Sequence, residues 1–307
     1  MEREASVARK SGFTRVRLWV GVAIIILLVI VFLVLPFIIA GILTTPERAF
    51  SADLTPARYQ LSYEDIKITA RTDGMPIPGW FIPSPDSSKA VIMVHGRNQS
   101  RTSELYGRFV ELASLLHQGG LNIIMLDLRG HGQSPSAQYS FGLRDRRDVE
   151  GAVDWLLQKG FKEGSIGALG ISLGAASVIG AAAEEPRISA IAEESGFAEL
   201  SPLLKTQSGL PPFLLTPTLW MVQLRFGYDL NQSQPVREIG VIAPRPIFII
   251  HSTSDELVPI ENARQLLAAY PSAETWILSG PEHARSFNAY PEEYSQRVNT
   301  FFNKYLK

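Results

Sequence analysis

SIGALGISLGAASVIGAAAEE, residues 165–185, is the stretch on which the fold turns. Its first five residues are small or apolar and continuous enough for a buried strand, and the alanine-rich part after Ser172 favours helix. Between them stands Gly170-Ile171-Ser172-Leu173-Gly174, a G-x-S-x-G at a strand-to-helix junction. A serine turned that sharply must take a strained backbone, and glycines on both sides let neighbouring segments pass close. Its hydroxyl then stands exposed beyond the strand end, beside a helix N-terminus. With 24 glycines in the chain such a pattern also arises by chance, so the flanking strand and helix carry the reading.

Similar runs recur on both sides. Residues 90–94, 121–126, 188–192 and 247–250 are short, β-rich and apolar apart from Asn122 and Ser189, continuous enough for strands buried on both faces. Leu105, Phe109, Leu112 and Leu116 recur at helical spacing between the first two. Val149, Ala152, Val153 and Leu156 do the same before residue 165. Alternating strand and helix predicts βαβ units and a parallel sheet. An earlier pair, residues 61–70 and 77–82 across Asp73-Gly74, reads as an antiparallel hairpin leading into it. The expected class is α/β, a mostly parallel central sheet with helices on both faces.

A serine hydroxyl near neutral pH is a poor nucleophile; it needs an imidazole to take its proton and a carboxylate to hold that imidazole in the right tautomer. Of five histidines, His117 falls on a helix, His95 and His131 lie in glycine turns, and His251 ends a strand. His283 lies in the loop Ser279-Gly280-Pro281-Glu282-His283 just after a strand at residues 275–278, where it can reach over the sheet's carboxyl edge. Asp255 follows the strand at 247–250, so Ser172, Asp255 and His283 run in the order Ser…Asp…His. Glu256, Glu193 and Glu194 are the competing carboxylates. A tetrahedral intermediate also needs amide donors. The Leu173 amide in the turn supplies one, and His95-Gly96-Arg97, after residues 90–94, is placed to supply another through Arg97.

His95-Gly96, the segment Asp127-Leu128-Arg129-Gly130-His131-Gly132-Gln133-Ser134, Gly170 to Gly174, Asp255 and His283 together resemble the α/β-hydrolase superfamily. Within it the chain is similar to the serine aminopeptidase and monoglyceride-lipase-like group and to the membrane-anchored Bem46 proteins, from about Tyr59 to the C-terminus. The resemblance implies Ser172 as nucleophile, Asp255 as acid, His283 as base and the Arg97 and Leu173 amides as oxyanion hole. It also implies that Asp127 and His131 are structural. No metal or organic cofactor is implied.

The remaining features bound the setting. Lys and Arg number 29 against 30 Asp and Glu, a net charge of -1, which speaks against a nucleic-acid partner. Cysteine is absent, so disulfides, thiolate metal sites and a cysteine nucleophile are excluded. Residues 18–43, LWVGVAIIILLVIVFLVLPFIIAGIL, carry no charge and exceed the roughly 20 apolar residues a spanning helix needs. Arg3, Arg9, Lys10, Arg15 and Arg17 precede it, which predicts a cytoplasmic N-terminus and an exported domain. Ala49-Phe50-Ser51 loosely resembles a signal cleavage site, but signal cores run only about 7–15 residues. The expected organisation is a basic tail at 1–17, an anchor at 18–43, a linker at 44–58 and the hydrolase domain at 59–307. An apolar insertion at about 197–244, containing Trp220, interrupts that domain where hydrolases of this fold carry a cap. Anchor and cap together point to a small or lipophilic acyl substrate. The rival readings are a non-catalytic membrane-tethered binding module and a peptidase of the serine aminopeptidase type. Oligomeric state is not encoded in any of these features.

Overall fold

In the computed structural model, which describes the backbone of residues 2–307 and the side chains of residues 15–307, an eight-stranded sheet organises the larger of two units. The strands are β1 (Glu64–Thr69), β2 (Pro76–Ile82), β3 (Ala90–Val94), β4 (Asn122–Leu126), β5 (Ile166–Ile171), β6 (Ile188–Glu194), β7 (Ile247–Ser252) and β8 (Glu274–Leu278). Their spatial order is β1-β2-β4-β3-β5-β6-β7-β8. β1 pairs antiparallel with β2, β2 antiparallel with β4, and every later pairing is parallel. The mixed, mostly parallel sheet expected from the apolar runs is therefore present.

β3, β4, β5 and β7 are buried along their whole length, because helices cover both faces and leave no side of the pleat for polar residues. β1 alternates instead, with Ile66 and Ile68 inward, as an edge strand with one wet face does. The chain winds from β3 outward to β4, then returns past β3 to β5. That reversal puts the topological switch point at the carboxyl ends of β3 and β5, beside which ligands bind in sheets of this kind.

One element differs from the periodicity. Leu105 shares the helical spacing of Phe109, Leu112 and Leu116, but the helix there is Phe109–Gln118, and Leu105 and Tyr106 take left-handed φ values of +56° and +57°. Leu105 is nevertheless fully buried. Spacing reported its burial correctly and its conformation wrongly, since Leu105 joins the same apolar cluster as Phe109, Leu112 and Leu116 without continuing their helix. Residues 44–58 also do more than connect: Arg48 donates to the carbonyls of Gly132 and Ser134, and the Ser51 amide donates to the Thr102 hydroxyl.

The second unit comprises residues up to Leu43 together with Gly209–Asp229. Its first part is helical from Glu2 to Thr44, with a five-residue π-turn at Ile30–Val34. The cause is Pro36, which has no amide hydrogen and would press its ring on the carbonyl four residues earlier; widening the preceding turn relieves the clash and the helix continues. Its stretch Arg15–Thr44 is long and apolar enough to cross a membrane, and among the described residues it is the one such helix. The middle of the apolar insertion, the helix Pro212–Phe226, belongs to this unit, whereas its flanks, Leu200–Gln207 and Pro235–Ile239, stay with the sheet.

Candidate active site

Ser172 sits at φ +55° and ψ −110°, a conformation that L-residues reach only at a cost of about 1–3 kcal/mol. The turn is held by the Ser172 amide donating to the Glu194 carbonyl at 2.8 Å and by two close approaches. A Cβ on Gly170 would lie 2.3 Å from the Gly174 carbonyl oxygen, and one on Gly174 would lie 2.3 Å from that of Val94. No other residue type fits either position. The strain keeps Oγ at the tip of the turn and puts the Leu173 amide in the first turn of Leu173–Glu184, where an amide has no helical acceptor.

His283 Nε2 lies 2.9 Å from Ser172 Oγ, and its Nδ1 lies 2.8 Å from Asp255 Oδ2. Asp255 is 4% exposed and also accepts the Val258 amide through Oδ1 at 2.7 Å. Burial alone would raise its pKa. The hydrogen bond and charge of His283 outweigh that, with help from the Val258 amide, and hold the carboxyl below its ordinary value. An anionic Asp255 facing Nδ1 favours the tautomer with the proton on Nδ1, which leaves Nε2 free to accept from the serine.

The competing groups are occupied elsewhere. Glu256 is exposed. Glu193 accepts the Gly196 amide, and burial, with the charge of Glu194, pushes it up to about 8, so it is neutral at pH 7. Glu194 does serve the histidine, though indirectly: its carboxylate accepts the Ser286 amide at 2.9 Å. The Ala284 amide donates to Ser195 Oγ, and the Ser252 hydroxyl donates to the Pro281 carbonyl. Polar groups from the ends of β6 and β7 thus clamp the loop that carries His283 on both sides.

The loop after β3 lies against the serine turn. A Cβ on Gly96 would sit 3.3 Å from both the Ser172 Cβ and the Ile171 carbonyl oxygen, so the loop of Gly96 and Arg97 passes close to the serine turn. Glu104 fixes this loop from beneath. Its Oε2 accepts the Gly96 amide at 2.6 Å and its Oε1 accepts the Leu105 amide at 2.9 Å. Burial pushes the Glu104 carboxyl up, against those two amides. Neither Glu104 nor the clamping by Ser195 and Ser252 was legible in the sequence, and Glu194 stood there only as a competing carboxylate, because no spacing links an isolated polar residue to a backbone group it meets only after folding.

His95 and His131 are buried. His95 Nε2 accepts the Leu128 amide at 3.0 Å, which requires its Nδ1 to donate to the Gly96 carbonyl at 2.8 Å. Burial lowers its pKa to about 4 and, with the neighbouring His95, that of His131 to about 3, so both are neutral packing pieces. Asp127 accepts the Arg101 and Gln133 amides and is ion-paired to the Arg101 guanidinium. His251 bonds the Val258 carbonyl, and His117 the Pro83 carbonyl.

Residues 85–235 match the family described as serine aminopeptidase, S33. A crystal structure of the Pyrococcus furiosus esterase Pf2001 superposes with a TM-score of 0.72 at 26% identity, covering 86% of this chain and all of that one. The chain has the α/β-hydrolase fold. Curated relatives include YqkD of Bacillus subtilis, 27% identical over 79% of this chain and 81% of its own length, and YfhR of Salmonella typhimurium, 28% identical over 73% and 76%. Both relatives carry the description uncharacterized. The neighbouring esterase and the fold support a hydrolase as the activity class.

Proposed function

We propose that this α/β-hydrolase is a serine hydrolase that cleaves an acyl ester, thioester or amide through an acyl-enzyme. The observation that carries the reading is the continuous chain from Ser172 Oγ through the His283 imidazole to Asp255, at 2.9 Å and 2.8 Å. Ser172 attacks the acyl carbonyl as His283 Nε2 takes its proton. The developing oxyanion is met by the Arg97 and Leu173 amides. His283 then returns the proton to the leaving alcohol, thiol or amine, and water repeats the sequence to release the acid. Asp255 stays ionised throughout and stabilises the imidazolium.

The apolar helix Arg15–Thr44 supports a membrane anchor, and the basic residues before it support a cytoplasmic N-terminus with the hydrolase domain on the opposite side. An enzyme so tethered meets lipophilic acyl compounds at high local concentration, which makes these its proposed substrate class. A fluorophosphonate probe tests the nucleophile: labelling of the native chain and none of Ser172→Ala is the expected result, and equal labelling of both moves the nucleophile elsewhere. A panel of acyl esters of graded chain length beside short peptide amides then separates lipase-like from peptidase activity.

A further inference from the structure

The helix Pro212–Phe226 carries an apolar stripe on its outer side. Phe213, Trp220 and Leu224 are 55%, 66% and 80% exposed, and their spacing of seven and four residues puts them on one helical face. Leu215, Thr218, Leu219 and Val222 form the opposite, buried face, while Thr216 and Gln223 flank the stripe. Three large exposed apolar side chains in one row are uncommon on a helix that faces water.

Within the same unit, this helix contacts the π-turn Ile30–Val34. Further along, Arg225 donates to the Phe37 carbonyl, lies over the Phe37 ring with its guanidinium carbon 3.7 Å from the centroid, and reaches to 3.3 Å from where a Gly41 Cβ would stand. The two helices therefore lie together over residues 30–41. Helical rise turns this contact into a statement about depth. The uncharged run begins at Leu18, so only 12 residues, 18–29, precede the π-turn, and at about 1.5 Å each they cover about 18 Å. A hydrocarbon layer is about 30 Å thick. A spanning helix must therefore carry Ile30–Val34 into that layer, and the helix packed on it goes to the same depth. The uncharged run ends at Leu43, and Arg225 meets it at Phe37 and Gly41, within two turns of that end, from where a long cationic side chain can keep its charge in the headgroups.

We propose that Pro212–Phe226 beds into the lipid leaflet beside the N-terminal helix, with Phe213, Trp220 and Leu224 against acyl chains. This rests on the membrane-anchor reading above. It assigns lipid contact to a second segment, some 170 residues further along the chain than the anchor. Tryptophan at this level matches its general preference for the membrane interface.

The absence of cysteine makes the test direct. Phe213→Cys, Trp220→Cys and Leu224→Cys, with Gln223→Cys at the stripe's edge and Ile26→Cys in the N-terminal helix, are each spin-labelled in the full-length chain. Each is then reconstituted one copy per phosphatidylcholine nanodisc. Accessibility to oxygen relative to a water-soluble nickel chelate reports immersion. The expected result is lipid-like ratios at 26, 213, 220 and 224, at least several-fold above that at 223. A lipid-like Ile26 with water-like values at all three stripe positions overturns the docking and leaves the anchor standing. A water-like Ile26 overturns both. Stripe positions that become dry only in discs holding two copies show that a second chain, not lipid, covers the face, and the proposal fails on that result too.

Discussion

The ends of β4 and β5 bear the same residue types with opposite consequences. After β5, Ser172 meets His283 and Asp255 from the loops after β8 and β7. After β4, Asp127, His131 and Ser134 lie within eight residues, beside His95 at a ring separation of 5.1 Å. There Ser134 donates to the Asp127 carbonyl, His131 bonds the Arg129 carbonyl, and Asp127 is spent on backbone amides and Arg101. The polar bonds named in that cluster hold the loop after β4 to itself and, through Arg101, to the loop after β3. In the first, the histidine's bonds end on a hydroxyl and a carboxylate, and its side chain retains 18% exposure. On the proposed function, residue type is thus not what separates a reactive group from a structural one. The difference lies in whether the last partner is a movable proton facing solvent or a fixed backbone group in the interior.

The largest effects are expected where the first cluster is broken. Ser172→Ala should remove at least ~10⁴-fold in kcat and Asp255→Asn ~10³–10⁴-fold, with the far-ultraviolet spectrum unchanged. Steady-state hydrolysis of an activated ester reads both, and retention of a tenth of the activity in either variant dissolves the distinction drawn above.

Asp127→Asn tests the other side. It leaves the buried Arg101 guanidinium without its counter-charge, a loss of about 3–5 kcal/mol of stability. Urea titration should show that loss while kcat per folded molecule stays within about threefold, since no reacting atom is touched. A kcat fall matching that of Asp255→Asn would make the second cluster part of the chemistry.

A smaller effect follows from His95. Folded, it binds a proton only near pH 4; unfolded, near the ordinary 6.5. Between those values the unfolded chain holds more protons, so stability is complete above 6.5 and declines as the pH falls toward 4, by about 3 kcal/mol. Urea midpoints at intervals from pH 7 to 4 measure the slope, and His95→Gln should flatten it. An acid limb unaltered in that variant assigns the loss to other groups.

The smallest effect sharpens the comparison within the active corner. Glu104→Gln keeps one acceptor oxygen but loses the second, and so can hold only one of the Gly96 and Leu105 amides; it should cost ~10-fold in kcat with KM little changed, because the proposed oxyanion donors act mainly in the transition state. Weaker binding of a trifluoromethyl ketone by the same factor identifies positioning of the Arg97 amide. A shift in melting temperature alone, with kcat intact, reduces Glu104 to a structural support.

Local rules carried much of this architecture. Mostly apolar runs located the parallel strands, because a strand covered on both faces has little room for polar side chains along its length. The glycines flanking Ser172 located the turn, because only a missing Cβ lets Val94 and Gly174 approach so closely. The order Ser172, Asp255, His283 was readable because each follows a strand on the same edge. What tertiary structure alone decided is of another kind. The left-handed bend at Leu105 and Tyr106, the carboxylate of Glu104 under the loop of Gly96, and the grip of Ser195, Ser252 and Glu194 on the histidine loop join groups whose bonding no periodicity marks. So does the grouping of Gly209–Asp229 with a helix near the other end of the chain. The physical reason is that burial and backbone strain act on neighbours in sequence and imprint a pattern there, whereas a polar side chain finds its amide only after the strand order has set which loops meet.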